Sequence, residues 1–177
     1  MPHGNLSPAQ QEAVHPYIQG KVVHDLGCGD GELSLWLVKA GAEKVIGLDR
    51  DRYVFNKLSK VVFVHGHFHD YHEPCETAFV SWPVNWQSGI ESILARAKTV
   101  VYLGTNMGGS SCGSREMFEH LVGREVLAHL PEQKNTLIVY GPRVIQREPL
   151  PEEFAALNQE KMYSFRELYE VPIATTG

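Results

Sequence analysis

The chain has little that would tie it to an oxidising compartment, a membrane or a polyanion. Its 177 residues hold only three cysteines, Cys28, Cys75 and Cys112, odd in number and widely spaced. That suits reduced thiols better than a disulfide framework. No run of eighteen apolar residues is present, so no membrane-spanning helix is expected. The opening MPHGNLSPAQ lacks the charged and apolar pattern of a secretory leader, and a cytoplasmic location is expected. Positive charge is in short supply, with 16 Lys and Arg against 21 Asp and Glu for a net charge of −5. This disfavours a nucleic-acid backbone as the main partner without excluding a local basic patch. Internal repeats and low-complexity segments are absent, which excludes solenoids and linker arrays. What is there, 43% hydrophobic and 21% charged residues, is the composition of one ordinary domain, long enough for a proper core.

The most informative stretch is residues 22–36, VVHDLGCGDGELSLW. Val22 and Val23 run into Asp25, three glycines alternate at Gly27, Gly29 and Gly31, and an amphipathic pattern follows through Leu33, Leu35, Trp36, Leu37 and Val38. This predicts a strand, a tight glycine loop and the start of a helix. Glycines there admit positive φ and let a ligand lie on bare backbone. The helix start adds a partial positive charge. A nucleotide-like ligand is therefore expected.

Spacing and charge narrow the choice. A dinucleotide fingerprint of the form G-x-G-x-x-G needs a third glycine at position 32, which is Glu32. Asp25, two residues ahead of Gly27, would repel a pyrophosphate and attract a cationic amino-acid tail. The next strand, Lys44 to Leu48, ends in Asp49, placed to accept from the two hydroxyls of a ribose. S-adenosylmethionine carries an ammonium, a ribose and an adenine in that order, and so suits both acids. With HDLGCGDG and GLDRD in place, the chain resembles the class I, Rossmann-like S-adenosylmethionine-dependent methyltransferases. The resemblance covers roughly residues 7–143, strong in the cofactor half and weak in the substrate half. Loops of the form SWP and GG-x-x-CG, also found in methyltransferase-like proteins, add to it.

The remaining elements follow in order. Ser7 caps a helix over 7–19 with Pro8 at its first position; it is expected to stop near His15, because Pro16 disfavours continuation. A second helix is expected over Arg50–Ser59, strands at 61–64, 77–80 and 99–103, and a helix over Gly89–Ala97. Ser114 is expected to cap a helix reaching Leu121, whose Met117, Phe118 and Leu121 share one side. Residues 124–130 and 136–140 read as a hairpin, and Glu152–Tyr169 as a tail helix. Alternating strands and helices imply an α/β fold with a parallel sheet covered on both faces. The resemblance sharpens this to a three-layer αβα Rossmann-like sandwich, with a mostly parallel seven-stranded sheet and an antiparallel last strand. One domain is expected over 1–177, made of the N-terminal helix, a core at 21–143 and a helical tail at 150–177.

Ligands in open α/β sheets bind beyond the carboxyl ends of the strands. The resemblance implies that Asp25 and the backbone of Leu26, Gly27, Cys28, Gly29 and Gly31 hold the amino-acid end, while Asp49 and Arg50 hold the ribose. His67 and Phe68 stand where the family usually has an acid for the adenine amino group, with Phe68 a stacking partner and Asp70 an alternative acid. From the N-terminal helix, Gln10, Gln11, His15 and Tyr17 are candidate contacts for the methionine end. SWPVNW, residues 81–86, sits where amino-methylating members carry an Asn/Asp-Pro-Pro-aromatic motif. Ser81 takes the polar slot, bordering the cofactor as well, and Trp82, Pro83, Asn85 and Trp86 complete the loop. Serine is a weaker fixed acceptor than an amide, so N-methylation does not follow from this loop. Residues 104–113, GTNMGGSSCG, read as a wall of the acceptor pocket; no spacing supplies a base for Cys112 as a nucleophile.

His65, His67 and His69 alternate as a zinc-binding strand might, but methyl transfer from a sulfonium needs no metal, and none is expected. The expected activity is S-adenosylmethionine-dependent methyl transfer to an acceptor the sequence does not identify. A small planar molecule or an exposed amine or base is favoured over nucleic-acid duplex, with no membrane partner. A non-catalytic cofactor-binding module is the alternative. A nicotinamide oxidoreductase is disfavoured by Glu32 and Asp25.

Overall fold

The computed structural model describes residues 6–51, 60–83, 89–105 and 112–158. The expected helix over 50–59, Asn85, Trp86, most of the 104–113 loop and the tail past residue 158 lie outside the described residues. Seven strands form one sheet in the order β3-β2-β1-β4-β5-β7-β6. They are β1 (Val22–Leu26), β2 (Lys44–Asp49), β3 (Val61–His65), β4 (Thr77–Ser81), β5 (Thr99–Gly104), β6 (Arg124–Pro131) and β7 (Thr136–Val144). The five strands from β3 to β5 pair in parallel. β7, last in sequence, is antiparallel to both β5 and β6, as expected.

Alternation along the strands sends side chains to two cores. Val23, Val45, Phe79, Val101 and Val139 pack with α1 (Pro8–Ile18) and α2 (Glu32–Lys39). Leu26, Leu48, Val80, Tyr102 and Ile138 pack with α3 (Ile90–Arg96), α4 (Arg115–Leu121) and α5 (Pro151–Leu157). The result is a three-layer sandwich. Among the described residues no helix is long and apolar enough to cross a membrane.

Two expectations about helix ends need correction. α1 does not stop at His15 but runs through Pro16 to Ile18. Proline in a helix interior costs about 3 kcal/mol, yet Val14 and Ile18 are fully buried, each contributing about 1.5–3 kcal/mol. Pro16 itself faces outward, so burial outweighs the lost hydrogen bond. The tail helix is also shorter than expected: α5 ends at Leu157, with Asn158 as its cap.

Two buried polar anchors fix the α3–α5 layer. The Arg124 guanidinium donates to the carbonyls of Leu94, Ala97, Lys98 and Gly141, joining the end of α3 to β7. Glu153, fully buried, accepts a two-pronged pair from Arg147 at 2.7 and 2.8 Å, the Tyr140 hydroxyl at 2.8 Å and the Leu150 N–H at 2.8 Å. Burial alone would raise its pKa, but these hydrogen bonds outweigh it and hold the carboxyl below its ordinary value.

Candidate functional site

The sheet order reverses between β1 and β4, which makes their carboxyl ends the topological switch point, where α/β sheets bind ligands. The glycine loop leaves β1 at this point. Gly27, Gly29 and Gly31 all have positive φ, at 77°, 54° and 86°. A Cβ added at Gly27 or Gly29 would meet nothing within 4 Å, so the loop presents open space where a ligand can lie on backbone.

The loop's N–H groups point the other way. Those of Gly27 and Cys28 donate to the Leu48 carbonyl at 2.7 and 3.2 Å, and that of Gly31 to Cys28 at 3.0 Å. The Gly29 N–H donates to Asp49 Oδ2 at 2.9 Å, and the Glu32 N–H at the start of α2 to Asp30 Oδ1 at 3.1 Å. A phosphate-binding loop needs these donors turned outward. Here they are engaged within the protein, and Asp25, Asp30, Glu32 and Asp49 surround the loop. The arrangement suits a cation and rejects a pyrophosphate.

Asp25 is 1% exposed beneath the loop, and its Oδ2 accepts from the Ser34 hydroxyl of α2 at 2.6 Å. Its pKa is raised to about 7. Burial is the largest cause, the Ser34 hydrogen bond pulls the other way, and the charge of Asp49 adds to the rise. Ser34 went unnoticed in the sequence, although it lies three residues past Gly31, on the side of the helix that faces the strand.

Asp49 ends β2 half-exposed, one oxygen bonded to the Gly29 N–H and the other to the Asp51 N–H at 2.9 Å. A carboxylate offers about four acceptor positions, so both oxygens retain capacity for a diol. The β3 tip is tied alongside: Gly66 N–H donates to the Asp49 carbonyl, and His65 Nε2 lies 2.9 Å from the Arg50 carbonyl. His67 and Asp70 are exposed at this tip. Phe68, at 4% exposure, belongs to the same core cluster as Leu26 and Leu48. Buried there, it presents little surface for the stacking expected of it.

At the neighbouring β4 tip, Trp82 is the one described non-glycine residue with positive φ, 49°. Bulky residues adopt that region only where surrounding structure holds them in it. Two backbone bonds do so, from Trp82 N–H to the Leu103 carbonyl at 2.7 Å and from Gly113 N–H to the Pro83 carbonyl at 2.7 Å. The second ties the loop after β5 to the SWP turn. Ser81 Oγ is shielded from solvent and has no hydrogen-bond partner among the described residues.

From α1, Gln10 is fully buried and donates to Asn135 Oδ1 at 2.7 Å, and so serves the β6–β7 turn. Gln11 and His15 line a surface groove against Trp36 and Lys39. Tyr17 packs on the α1–α2 core. All three cysteines are free and buried, and burial raises each thiol's pKa, which leaves no activated thiolate. Among the described residues no three His, Cys, Asp or Glu side chains are grouped to hold a metal ion.

No protein-family model matches the chain. It is 56% identical over 34 residues to the ribosomal protein L11 methyltransferases of Vibrio campbellii and Vibrio vulnificus. That segment is 19% of this chain and 12% of the relative's length. Solved structures agree over far more of the chain. An S-adenosylmethionine-dependent methyltransferase from Mesorhizobium loti superposes with TM-score 0.57 at 12% identity, over 76% of this chain and 96% of the other. A candidate RNA methyltransferase from Pyrococcus horikoshii gives 0.56 at 18% identity, over 78% and 81%. TrmK of M. capricolum, in complex with S-adenosylhomocysteine, gives 0.54 at 10% identity, over 83% and 73%. The fold is that of the Rossmann-like methyltransferases.

Proposed function

We propose that this protein binds S-adenosylmethionine at the β1–β4 switch point and transfers its methyl group to an acceptor held against the SWP turn. The observation that carries this reading is the glycine loop, whose Gly27, Cys28, Gly29 and Gly31 N–H groups are engaged within the protein, with the Asp25 carboxyl buried at its base and Asp49 bonded to the Gly29 N–H. Such a loop favours an amino-acid ammonium over a pyrophosphate. When bound, the cofactor would supply a sulfonium methyl group open to in-line attack by an acceptor lone pair, the C–S bond electrons leaving with sulfur as the neutral thioether.

The chain's own task is then mainly positioning. Asp25 supplies the counter-charge for the ammonium, with Leu26, Gly27, Cys28, Gly29 and Gly31 as the backbone floor. Asp49 accepts from the ribose hydroxyls, with Arg50 beside it, and the exposed His67 and Asp70 of the following turn border the adenine. The half-buried Trp82 indole offers a flat apolar wall next to the Ser81 hydroxyl, suited to a planar acceptor with a hydrogen-bonding edge. Pro83 fixes the turn, and Asn85 follows it in sequence. The P. horikoshii neighbour bears an RNA methyltransferase's name and the Vibrio relatives a protein methyltransferase's. An exposed base, a side chain or a small heterocycle all fit a planar slot. A rigid duplex fits poorly beside the acids around the loop.

Calorimetric titration with S-adenosylhomocysteine and with NAD tests the cofactor. The first should bind and the second should not; preference for NAD would overturn the assignment. With tritiated S-adenosylmethionine and a panel of planar amines, heterocycles, peptides and unstructured RNA, Trp82→Ala should cut label transfer at least tenfold. It should leave S-adenosylhomocysteine affinity within a few fold. Loss of cofactor binding in that variant would move SWP out of the acceptor site.

A further inference from the structure

The acid at the base of the glycine loop is in an unusual position for a group meant to meet a cation. Its carboxyl is almost wholly removed from water, held by the single Ser34 hydroxyl bond on Oδ2. Among the described residues, no positive charge registers at this carboxyl from the elements packed around it. In register beside it stand Gly47 of β2 and Phe79 of β4. Ser34 faces it from α2. Among the described residues, the charged and titratable groups that reach it are the Asp49 carboxyl at the β2 tip and the Cys28 thiol of the loop, and neither is a cation. An ionised carboxylate in such a place is costly until a cation arrives.

We propose that Asp25 is a proton-exchanging counter-ion, protonated while the loop is empty and releasing that proton when a ligand's ammonium settles over the glycines. This rests on the cofactor assignment above and goes beyond it, because it makes recognition of the amino-acid tail a proton-coupled step. The balance is simple. The O–H bond of the Asp25 carboxyl breaks, its electron pair stays on the oxygen, and the proton passes to solvent buffer. The ligand keeps its own ammonium proton, so a carboxylate–ammonium pair replaces a neutral acid. Ser34 continues to donate to Oδ2 throughout and orients the group.

The sign follows from linkage. The cation favours the ionised acid, so below the pKa of the empty protein each binding event must expel a proton, and affinity falls with pH. With that value about 7, affinity should drop about tenfold from pH 8 to pH 6 and level off above pH 8 until the ligand amine itself deprotonates.

The test is titration of the protein with two nucleosides, S-adenosylhomocysteine and 5′-methylthioadenosine. The second has the ribose and adenine but no amino-acid tail. Calorimetry at pH 6.5 in phosphate and in imidazole, buffers of different ionisation enthalpy, counts the protons. S-adenosylhomocysteine should release more than half a proton per site, and methylthioadenosine none. Asp25→Asn should remove both the release and the pH dependence attributable to the tail, leaving the two nucleosides with parallel pH profiles. Proton release that persists in Asp25→Asn, or equal release with both nucleosides, would overturn the proposal. Binding of both with no release at any pH from 6 to 8 in the wild-type protein would also overturn it, and needs no variant to fold. If neither nucleoside binds, the cofactor assignment itself falls, and this inference with it.

Discussion

Asp49 offers the sharpest test of where the ribose sits, because its carboxyl already has a structural duty. It receives the Gly29 and Asp51 N–H groups at 2.9 Å each. Asp49→Ala therefore removes two backbone anchors as well as any diol contact, and a simple loss of affinity would be ambiguous. Hydrogen bonds to a charged group contribute about 1.5–3 kcal/mol each. Losing a two-hydroxyl contact should weaken S-adenosylhomocysteine binding by about 3–6 kcal/mol, a factor of roughly 150 to 20,000. A double-mutant cycle separates this from loop disorder. Titrating wild-type and Asp49→Ala proteins with S-adenosylhomocysteine and its 2′-deoxy analogue gives four affinities. A direct contact predicts a coupling of at least about 1 kcal/mol, the deoxy ligand losing affinity on the wild type and little on the variant. Additive losses would refute the ribose assignment, even if Asp49→Ala binds poorly. They would mean that Asp49 matters only through the Gly29 N–H it receives.

Gly29→Val places a branched side chain at φ 54° in space that is open in the protein. The far-ultraviolet spectrum should stay native while S-adenosylhomocysteine affinity falls more than a hundredfold; unimpaired binding would mean that the glycines serve turn geometry alone. Glu153→Gln takes the charge out of a buried pair with Arg147 and should cost about 3–5 kcal/mol in denaturant unfolding. Because the Glu153 pKa is held below its ordinary value, the stability it supplies is present above the unfolded-state pKa and lost as pH falls through the folded one. The wild-type and variant curves should therefore converge in acid, and a cost under 1 kcal/mol at pH 7 would show the pair contributes little.

What was legible in the sequence was periodic or tied to a motif. The strand alternation, the caps at Ser7 and Ser114 and the loop from Asp25 to Gly31 each signal through spacing alone, and they suffice for the sheet. What was not legible depended on partners distant in the chain. Pro16 reads as a stop until the burial of Val14 and Ile18 is counted against it. Phe68 reads as a stacking face because nothing local shows that it joins the core cluster of Leu26 and Leu48. Asp25 reads as a ready counter-ion, and only its burial beside Ser34 shows that its charge is conditional. Gln10 reads as a contact for the methionine end, since Asn135, the partner that holds it, lies on the far hairpin.

The placement of β7 between β5 and β6 sets an order of events during synthesis. The ribosome delivers β1 to β5, and with them the strand tips that carry the glycine loop, Asp49 and the SWP turn, before Thr136 is made. At roughly 5–20 residues per second, the β5 edge then waits on the order of seconds for the strand that covers it. Through that interval its Val100–Gly104 backbone is an open template for another chain. A nascent chain able to bind nucleoside as soon as β1, β2 and β4 are assembled would be steadied by mass action while it waits. A chain ending before Thr136 would keep its parallel strand tips and lose the covering strand, so early termination should yield aggregates that retain the glycine loop.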